Sequence, residues 1–299
     1  MKKKTEFRLF GIFGFPLSHT LSPAMQEAAF EQLGIKAYYL PFEFSQDEFK
    51  KAMRGLLSFA LEGFNLTVPH KETVITFLDR LTPEAKAIGA VNTVFQKKGK
   101  WIGANTDVSG FLNALQKEGR FDPHGKKVLI LGAGGAARAV IYGLASKGVR
   151  RLVIINRHES RAKKIIRDFK RLFPRVLFQT LSWTKGNLKE AFEDCNLVVN
   201  ATSVGLKAKE PALISGSLLP KASATKQILF VDLIYDPSRT AFLKTAQKKG
   251  HRILSGLGML LFQGAKALEY WTGRKAPVSA MRETLQKALA ERHANKKRS

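Results

Sequence analysis

A single cysteine, Cys195, stands among 299 residues, so no internal disulfide can form. That excludes disulfide-stapled secreted scaffolds and multi-cysteine zinc sites. Cys195 lies just before an apolar strand pattern and reads as a small buried hydrophobe. Long apolar runs are missing too: none approaches the roughly 20 residues of a membrane-spanning helix. Lys2–Lys4 open the chain, but Gly11 and Gly14 interrupt what would be the apolar core of a signal peptide. The cytoplasm is therefore the expected compartment. CxxC, HExxH and GxSxG are all absent, so metal or serine-nucleophile chemistry has no support and no metal is expected. Acid is scarce. Asp and Glu number 24 against 50 Lys and Arg, a net charge of +26, which favours anionic ligands. The basic residues are dispersed and no nucleic-acid motif accompanies them, so they read as a solvated surface with charged tails at Lys2–Lys4 and Lys296–Arg298.

What is present is organised around Val128–Arg138, VLILGAGGAAR. An apolar run ends at Gly132, and an alanine-rich stretch follows. The order is strand, tight turn, helix. Gly132-x-Gly134-x-x-Ala137 has the spacing of a dinucleotide-binding turn. Gly132 permits the turn, Gly134 lets backbone approach a pyrophosphate, and Ala137 lets the helix pack close. The helix start offers N–H groups to phosphates, which places Ala133, Gly135 and Ala136 at the same site.

Before this turn, strands are predicted at Arg8–Phe13, Ala37–Phe44 and Gly63–Val68. Ser22, followed by Pro23, reads as the N-cap of a helix closed by Gly34. Ser45-x-x-Glu48 reads as a capping box. Pro69 reads as a helix start, and Thr82-Pro83 as another. Lys97–Lys100 join two strands as a hairpin. A helix from about Val108 to Gly119 leads to a linker at Asp122-Pro123. Strands and helices then alternate, which implies a parallel sheet covered on both faces. Helices near Leu257–Trp271 and Pro277–Arg292 close the chain. The fold class expected is α/β in two domains, one of them a Rossmann-type doubly wound parallel sheet.

In such sheets ligands sit beyond the carboxyl ends of strands. Ser18, His19, Thr20 and Ser22 follow the first strand; Asn65, Thr67 and Lys71 follow the third; Asn92, Thr93, Asn105, Thr106 and Asp107 come next. Hydroxyls, amides, one lysine and one carboxylate suit a small polyhydroxylated substrate. Lys71 beside Asp107 can pass a proton to or from an alcohol oxygen while a nicotinamide carries the hydride. An NAD site usually carries an acid about 20 residues past the glycines. Here Asn156-Arg157-His158 stands there, with Arg161 one turn on. Two guanidiniums suit a 2′-phosphate, and NADP is the expected cofactor.

These motifs together resemble the shikimate dehydrogenase family over nearly the whole chain. The matching stretches are Ser18–Pro23 (SHTLSP), Asn65–Lys71 (NLTVPHK), Gly89–Thr93 (GAVNT), Asn105–Asp107 (NTD), Gly132–Arg138, Asn156–Arg161 (NRHESR), Asn200–Gly205 (NATSVG) and Gly256–Gln263. The resemblance implies reduction of 3-dehydroshikimate to shikimate with NADPH, in the pathway to aromatic amino acids. It implies a substrate site of Thr20, Ser22, Asn65, Thr67, Lys71, Asn92, Asp107, Tyr235 and Gln263, with Lys71 and Asp107 catalytic. It also brings Ala201, Thr202, Ser203 and Gly256 to the cofactor. The implied architecture is a discontinuous catalytic domain, residues 1–107 plus 256–299, around an inserted nucleotide domain, 108–255, with the active site in the cleft. Thr20, Ala104, Val108 and His158 depart from the usual pattern, which has serine, an acid, glycine and threonine there. The expected partner is the small substrate, without membrane or nucleic acid, on a monomer or homodimer. The near alternative is a quinate/shikimate dehydrogenase using NAD. A non-catalytic nucleotide- or nucleic-acid-binding relative is suggested only by the charge, and retention of both Lys71 and Asp107 argues against it.

Overall fold

The structure, a computed structural model, describes residues 7–18, 20–57, 61–206 and 210–295; His19 and the two charged tails lie outside them. The chain divides into two units, Met1–Gly110 with Leu261–Ser299, and Phe111–Leu260.

The first unit opens with β1 (Arg8–Gly14), α1 (Ser22–Gln32), β2 (Ala37–Glu43), α2 (Gln46–Leu56) and β3 (Leu61–Leu66). A 3-10 turn (Thr73–Phe77), β4 (Arg80–Leu81), α3 (Pro83–Ile88), β5 (Thr93–Lys97), β6 (Lys100–Ala104) and the start of α4 (Asp107–Lys117) follow. Its sheet has the order β2-β1-β3-β5-β6-β4. β1 pairs in parallel with β2 and β3, while the β5–β6 hairpin runs antiparallel. Phe13, at the centre, stacks on Phe42 and meets Phe64 edge-on, in a core with Phe49, Met53, Leu66 and Val94. Local signals start the helices. Ser45 and Glu48 form both bonds of a capping box, and Thr82 accepts from the Ala85 N–H at the start of α3.

The second unit contains β7 (Lys127–Leu131), α5 (Gly135–Ser146), β8 (Arg151–Ile155), α6 (Glu159–Lys170), β9 (Leu177–Leu181) and α7 (Lys185–Glu193). Then come β10 (Leu197–Asn200), β11 (Leu229–Asp232), α8 (Ala241–Lys248), β12 (Arg252–Leu254) and the start of α9 (Leu257–Thr272). The last helix, α10 (Val278–Asn295), belongs to the first unit, where it packs along α1. All strands of the second sheet are parallel, in the order β12-β11-β10-β7-β8-β9. The order reverses between β7 and β10, the place where doubly wound sheets open to ligands. Leu131, Ile155, Asn200 and Asp232 stand in register at the carboxyl edge. Cys195 is buried in this core, and burial pushes its thiol up to about 12.

Three expectations are corrected. Ser22 is not an N-cap: Leu21 holds that position without a side-chain bond, and Ser22 is the first helical residue, its N–H donating to Thr20 Oγ1. Pro69 opens no helix; residues 67–72 form turns, and only a 3-10 turn follows from Thr73. Asp122-Pro123 is no boundary, because Asp122 accepts from the His124 N–H in a local turn inside the second unit. The chain passes between units at residues 110–111 and 260–261, within α4 and α9. Among the described residues, no helix is long and apolar enough to cross a membrane.

Candidate functional site

The polar residues of the first unit meet at the carboxyl ends of β1 and β3 and at the loops flanking β5 and β6. Asn65, the fifth residue of β3, is buried. Its Oδ1 accepts from Tyr39 Oη at 2.7 Å, and its Nδ2 donates to the Asn92 carbonyl and to Thr93 Oγ1, both at 3.0 Å. Burial pushes the Tyr39 phenol well above its ordinary value, so it stays a donor. Thr67 is held by its N–H on the Phe13 carbonyl.

Lys71 Nζ donates to Asp107 Oδ2 at 2.6 Å. Both side chains are nearly enclosed, with 15% and 7% of their surface exposed. Asn92 Nδ2 lies 2.8 Å from Asp107 Oδ1, 3.0 Å from Thr106 Oγ1 and 3.3 Å from Gln263 Oε1. Its Oδ1 accepts from the Thr106 N–H at 2.7 Å. Asp107 thus has one oxygen on the amide and one on the ammonium, and it orients the lysine. Buried Ser22 and half-buried Thr20 stand at the start of α1. The structure therefore gathers Lys71, Asp107, Asn92, Asn65 and Gln263 with Thr93 and Thr106. Tyr235 lies in the second unit, after β11.

In the second unit, Gly132 adopts φ +113°, and a Cβ there would stand 2.8 Å from the Ala201 carbonyl oxygen. Both the turn and the neighbouring strand end demand glycine. Gly134 differs. Its φ is ordinary, −92°, it is exposed, and a Cβ would meet nothing of the chain within 4 Å. Its bareness serves no internal packing. It leaves room for a group outside the chain at the start of α5, which has no side-chain cap. Ala133, Gly135 and Ala136 complete that turn. Asn156 Nδ2 donates to the His158 carbonyl, closing the turn into α6. Arg157, His158 and Arg161 are exposed, and among the described residues the two guanidiniums make no ion pair or side-chain hydrogen bond. Arg138 is spent otherwise: it pairs with Asp168 at 2.8 Å and lies over the Phe169 ring.

The loop after β10 is held by a buried network. Asn200 Oδ1 accepts from Thr202 N and Oγ1, and Asn200 Nδ2 donates to Asp232 Oδ1 at 3.1 Å. Asp232 also accepts from Thr240 Oγ1 at 2.7 Å and from the Ile234 N–H. Burial pushes its carboxyl up, against the pull of these donors. Ala201 and Thr202 are half-buried, Ser203 is exposed, and buried Gly256 passes directly against the Leu233 carbonyl. Sequence reasoning missed Tyr39, Asn200 and Asp232 as supports. The only signal was a polar residue at a strand position whose neighbours are apolar.

These residues and positions match known proteins along most of the chain. Residues 12–94 match the shikimate dehydrogenase substrate binding domain, 114–236 the shikimate/quinate 5-dehydrogenase model, and 256–286 the shikimate 5′-dehydrogenase C-terminal domain. The chain is 43% identical over 287 residues to the shikimate dehydrogenase (NADP(+)) of Desulforamulus reducens, covering 94% of this chain and 95% of that one. The crystal structure of shikimate dehydrogenase from Aquifex aeolicus superposes with a TM-score of 0.84 at 38% identity, covering 95% and 99% of the two chains. That of the Thermus thermophilus enzyme, in complex with NADP(H) and shikimate, gives 0.81 at 37% identity over 94% and 99%. The glycine turn, the lysine–aspartate pair and this agreement along the chain lead to one conclusion: the chain belongs to the shikimate dehydrogenase family.

Proposed function

We propose that this protein reduces 3-dehydroshikimate to shikimate with NADPH, in the cytoplasm, as a monomer or homodimer. The observation that carries the reading is the enclosed Lys71–Asp107–Asn92 network, a proton donor held by a carboxylate that an amide holds in turn. NADPH, when bound, supplies the hydride. The bare Gly134, the Gly132–Ala136 turn and the uncommitted Arg157 and Arg161 fit its pyrophosphate and 2′-phosphate. The loop Ala201–Ser203 and Gly256 lie at the carboxyl ends of β10 and β12 and suit the rest of the cofactor.

Lys71 Nζ donates a proton to the substrate oxygen as the carbonyl becomes an alcohol, and takes it back in the reverse direction. Asp107 keeps the ammonium oriented and stabilises its charge in an enclosed site. Asn65, Asn92, Gln263, Ser22, Thr20 and Thr67 of the first unit offer the donors and acceptors that hydroxyls and a carboxylate need. In this reading the first unit binds substrate and the second binds the dinucleotide. The test is loss of NADPH absorbance with 3-dehydroshikimate, run beside NADH, and beside quinate with oxidised cofactor. Turnover confined to NADH, or to quinate, would replace the reading with the NAD-using quinate/shikimate enzyme.

A further inference from the structure

Lys71 has no helix beneath it, and its four-carbon stem is among the most flexible of side chains. Its ammonium is tied to Asp107, and its carbonyl accepts from the Val91 N–H at 2.8 Å. The placement of Nζ therefore depends on what fixes the turn from Thr67 to Lys71. The residue beside it, His70, is fully buried although it is polar. Its ring lies parallel to Phe49, with centroids 4.0 Å apart and 10° between planes, and its Nε2 is 2.8 Å from the Phe44 carbonyl oxygen. A carbonyl only accepts, so Nε2 carries a proton and donates it to Phe44. Nδ1 is buried without a partner among the described residues. Burial also holds the imidazole below its ordinary range.

An orphaned buried nitrogen disfavours histidine over phenylalanine at this position. What histidine adds is the bond to Phe44, and that bond closes a circuit. The Phe44 N–H donates to the Gly14 carbonyl at 3.2 Å; the Thr67 N–H donates to the Phe13 carbonyl at 2.9 Å; the His70 N–H donates to the Thr67 carbonyl at 2.9 Å. Phe13 and Gly14 end β1, and Phe44 precedes the capping box of α2. The imidazole thus ties the free side of the turn to the strand that already holds its start.

We propose that His70 is a positioning residue for Lys71, its Nε2–H bond to the Phe44 carbonyl holding the turn that delivers the ammonium to Asp107. The proposal rests on the acid–base role of Lys71. His70 touches no reacting atom. Its effect belongs in kcat rather than in substrate affinity, since Asn65, Asn92 and Gln263 are held by other bonds.

Two variants separate the bond from the packing. His70→Phe keeps the stack on Phe49 and removes the donor. His70→Gln loses the stack and keeps an N–H donor at nearly the same place. The expected result is a kcat about ten-fold lower in His70→Phe, with substrate KM within about two-fold, and recovery to within about three-fold of wild type in His70→Gln. A second measurement does not depend on the identity of the substrate: the rate at which acetic anhydride acylates Lys71, read by peptide mass. Loosening of the pair should speed acylation several-fold in His70→Phe and leave His70→Gln near wild type. Unchanged kcat and acylation in a folded His70→Phe would make His70 a core filler and overturn the proposal, as would equal losses in both variants. Altered acylation in a protein inactive on 3-dehydroshikimate would keep the proposal and defeat the substrate assignment instead.

Discussion

The two candidate sites are built in opposite ways. In the first unit, Lys71, Asp107, Asn92 and Asn65 are enclosed and bonded to one another. In the second, the decisive features are an exposed glycine with open space beside it and two exposed arginines without partners among the described residues. An enclosed, mutually bonded site is preorganised, so its bonds bear on the chemical step. An open site of unspent charge and bare backbone makes its bonds when the anion arrives, so it decides affinity and selectivity. Substitutions in the first region should lower kcat, and those in the second should change the choice of cofactor.

The largest expected effect is at Lys71. Lys71→Ala should lower kcat by roughly two to four orders of magnitude, the usual scale for a general acid–base group, with a far smaller change in substrate affinity. Near-normal turnover at saturation would remove the lysine from the chemistry. Next come Arg157→Ala and Arg161→Ala, measured as kcat/KM for NADPH and NADH. Each charge-assisted contact is worth about 1.5–3 kcal/mol, so each loss should weaken NADPH by roughly 10- to 150-fold and leave NADH nearly untouched. A preference that survives both substitutions would place 2′-phosphate recognition elsewhere.

A smaller effect concerns pH. His251 is buried, its Nδ1 near the Ile228 N–H and its Nε2 on the Pro220 carbonyl, and burial holds it below its ordinary value, as it does His70. The unfolded chain therefore binds protons that the folded chain resists. Stability is whole above the unfolded histidine value of about 6.5 and is lost as pH falls below it. Asp232, pushed up by burial, works in the opposite sense at lower pH. Thermal melting should drop a few degrees from pH 7.5 to 5.5 and drop less in His251→Gln; a flat or rising wild-type profile would contradict this. The smallest effect is binding to duplex DNA. The net charge of +26 should give weak, sequence-independent association that disappears as salt rises, since counterion release is its whole driving force. Salt-resistant, sequence-specific binding would require a built interface.

How much of this could be read from residues alone also differs between the regions. The glycine turn was legible because its chemistry is contiguous: strand, bare backbone and helix start fall within eleven residues. Lys71 and Asp107 were legible as candidates, but their 2.6 Å contact joins positions 36 apart and depends on the β3–β5–β6 register. The supports were hidden for the same reason. Tyr39 reaches Asn65 across β1, and Asn200 reaches Asp232 because β10 and β11 are in register. Local rules misled at Ser22 and Pro69. Serine before proline is a common helix start, yet here the Thr20 hydroxyl meets the Ser22 N–H and the cap falls on Leu21. A proline is suited to a first helical turn, but residues 67–72 use it in turns held by Phe44 and Thr67 instead.

The division of labour is tested most directly by one set of steady-state rates on 3-dehydroshikimate: wild type, Lys71→Ala and the Arg157→Ala/Arg161→Ala double variant, each with NADPH and NADH. The predicted result is a wild type that prefers NADPH and a lysine variant that is far slower with the preference intact. The arginine variant should be close to indifferent between cofactors, with kcat at saturation near wild type. A lysine variant that changes the cofactor ratio, or an arginine variant that loses kcat while keeping it, would contradict the account.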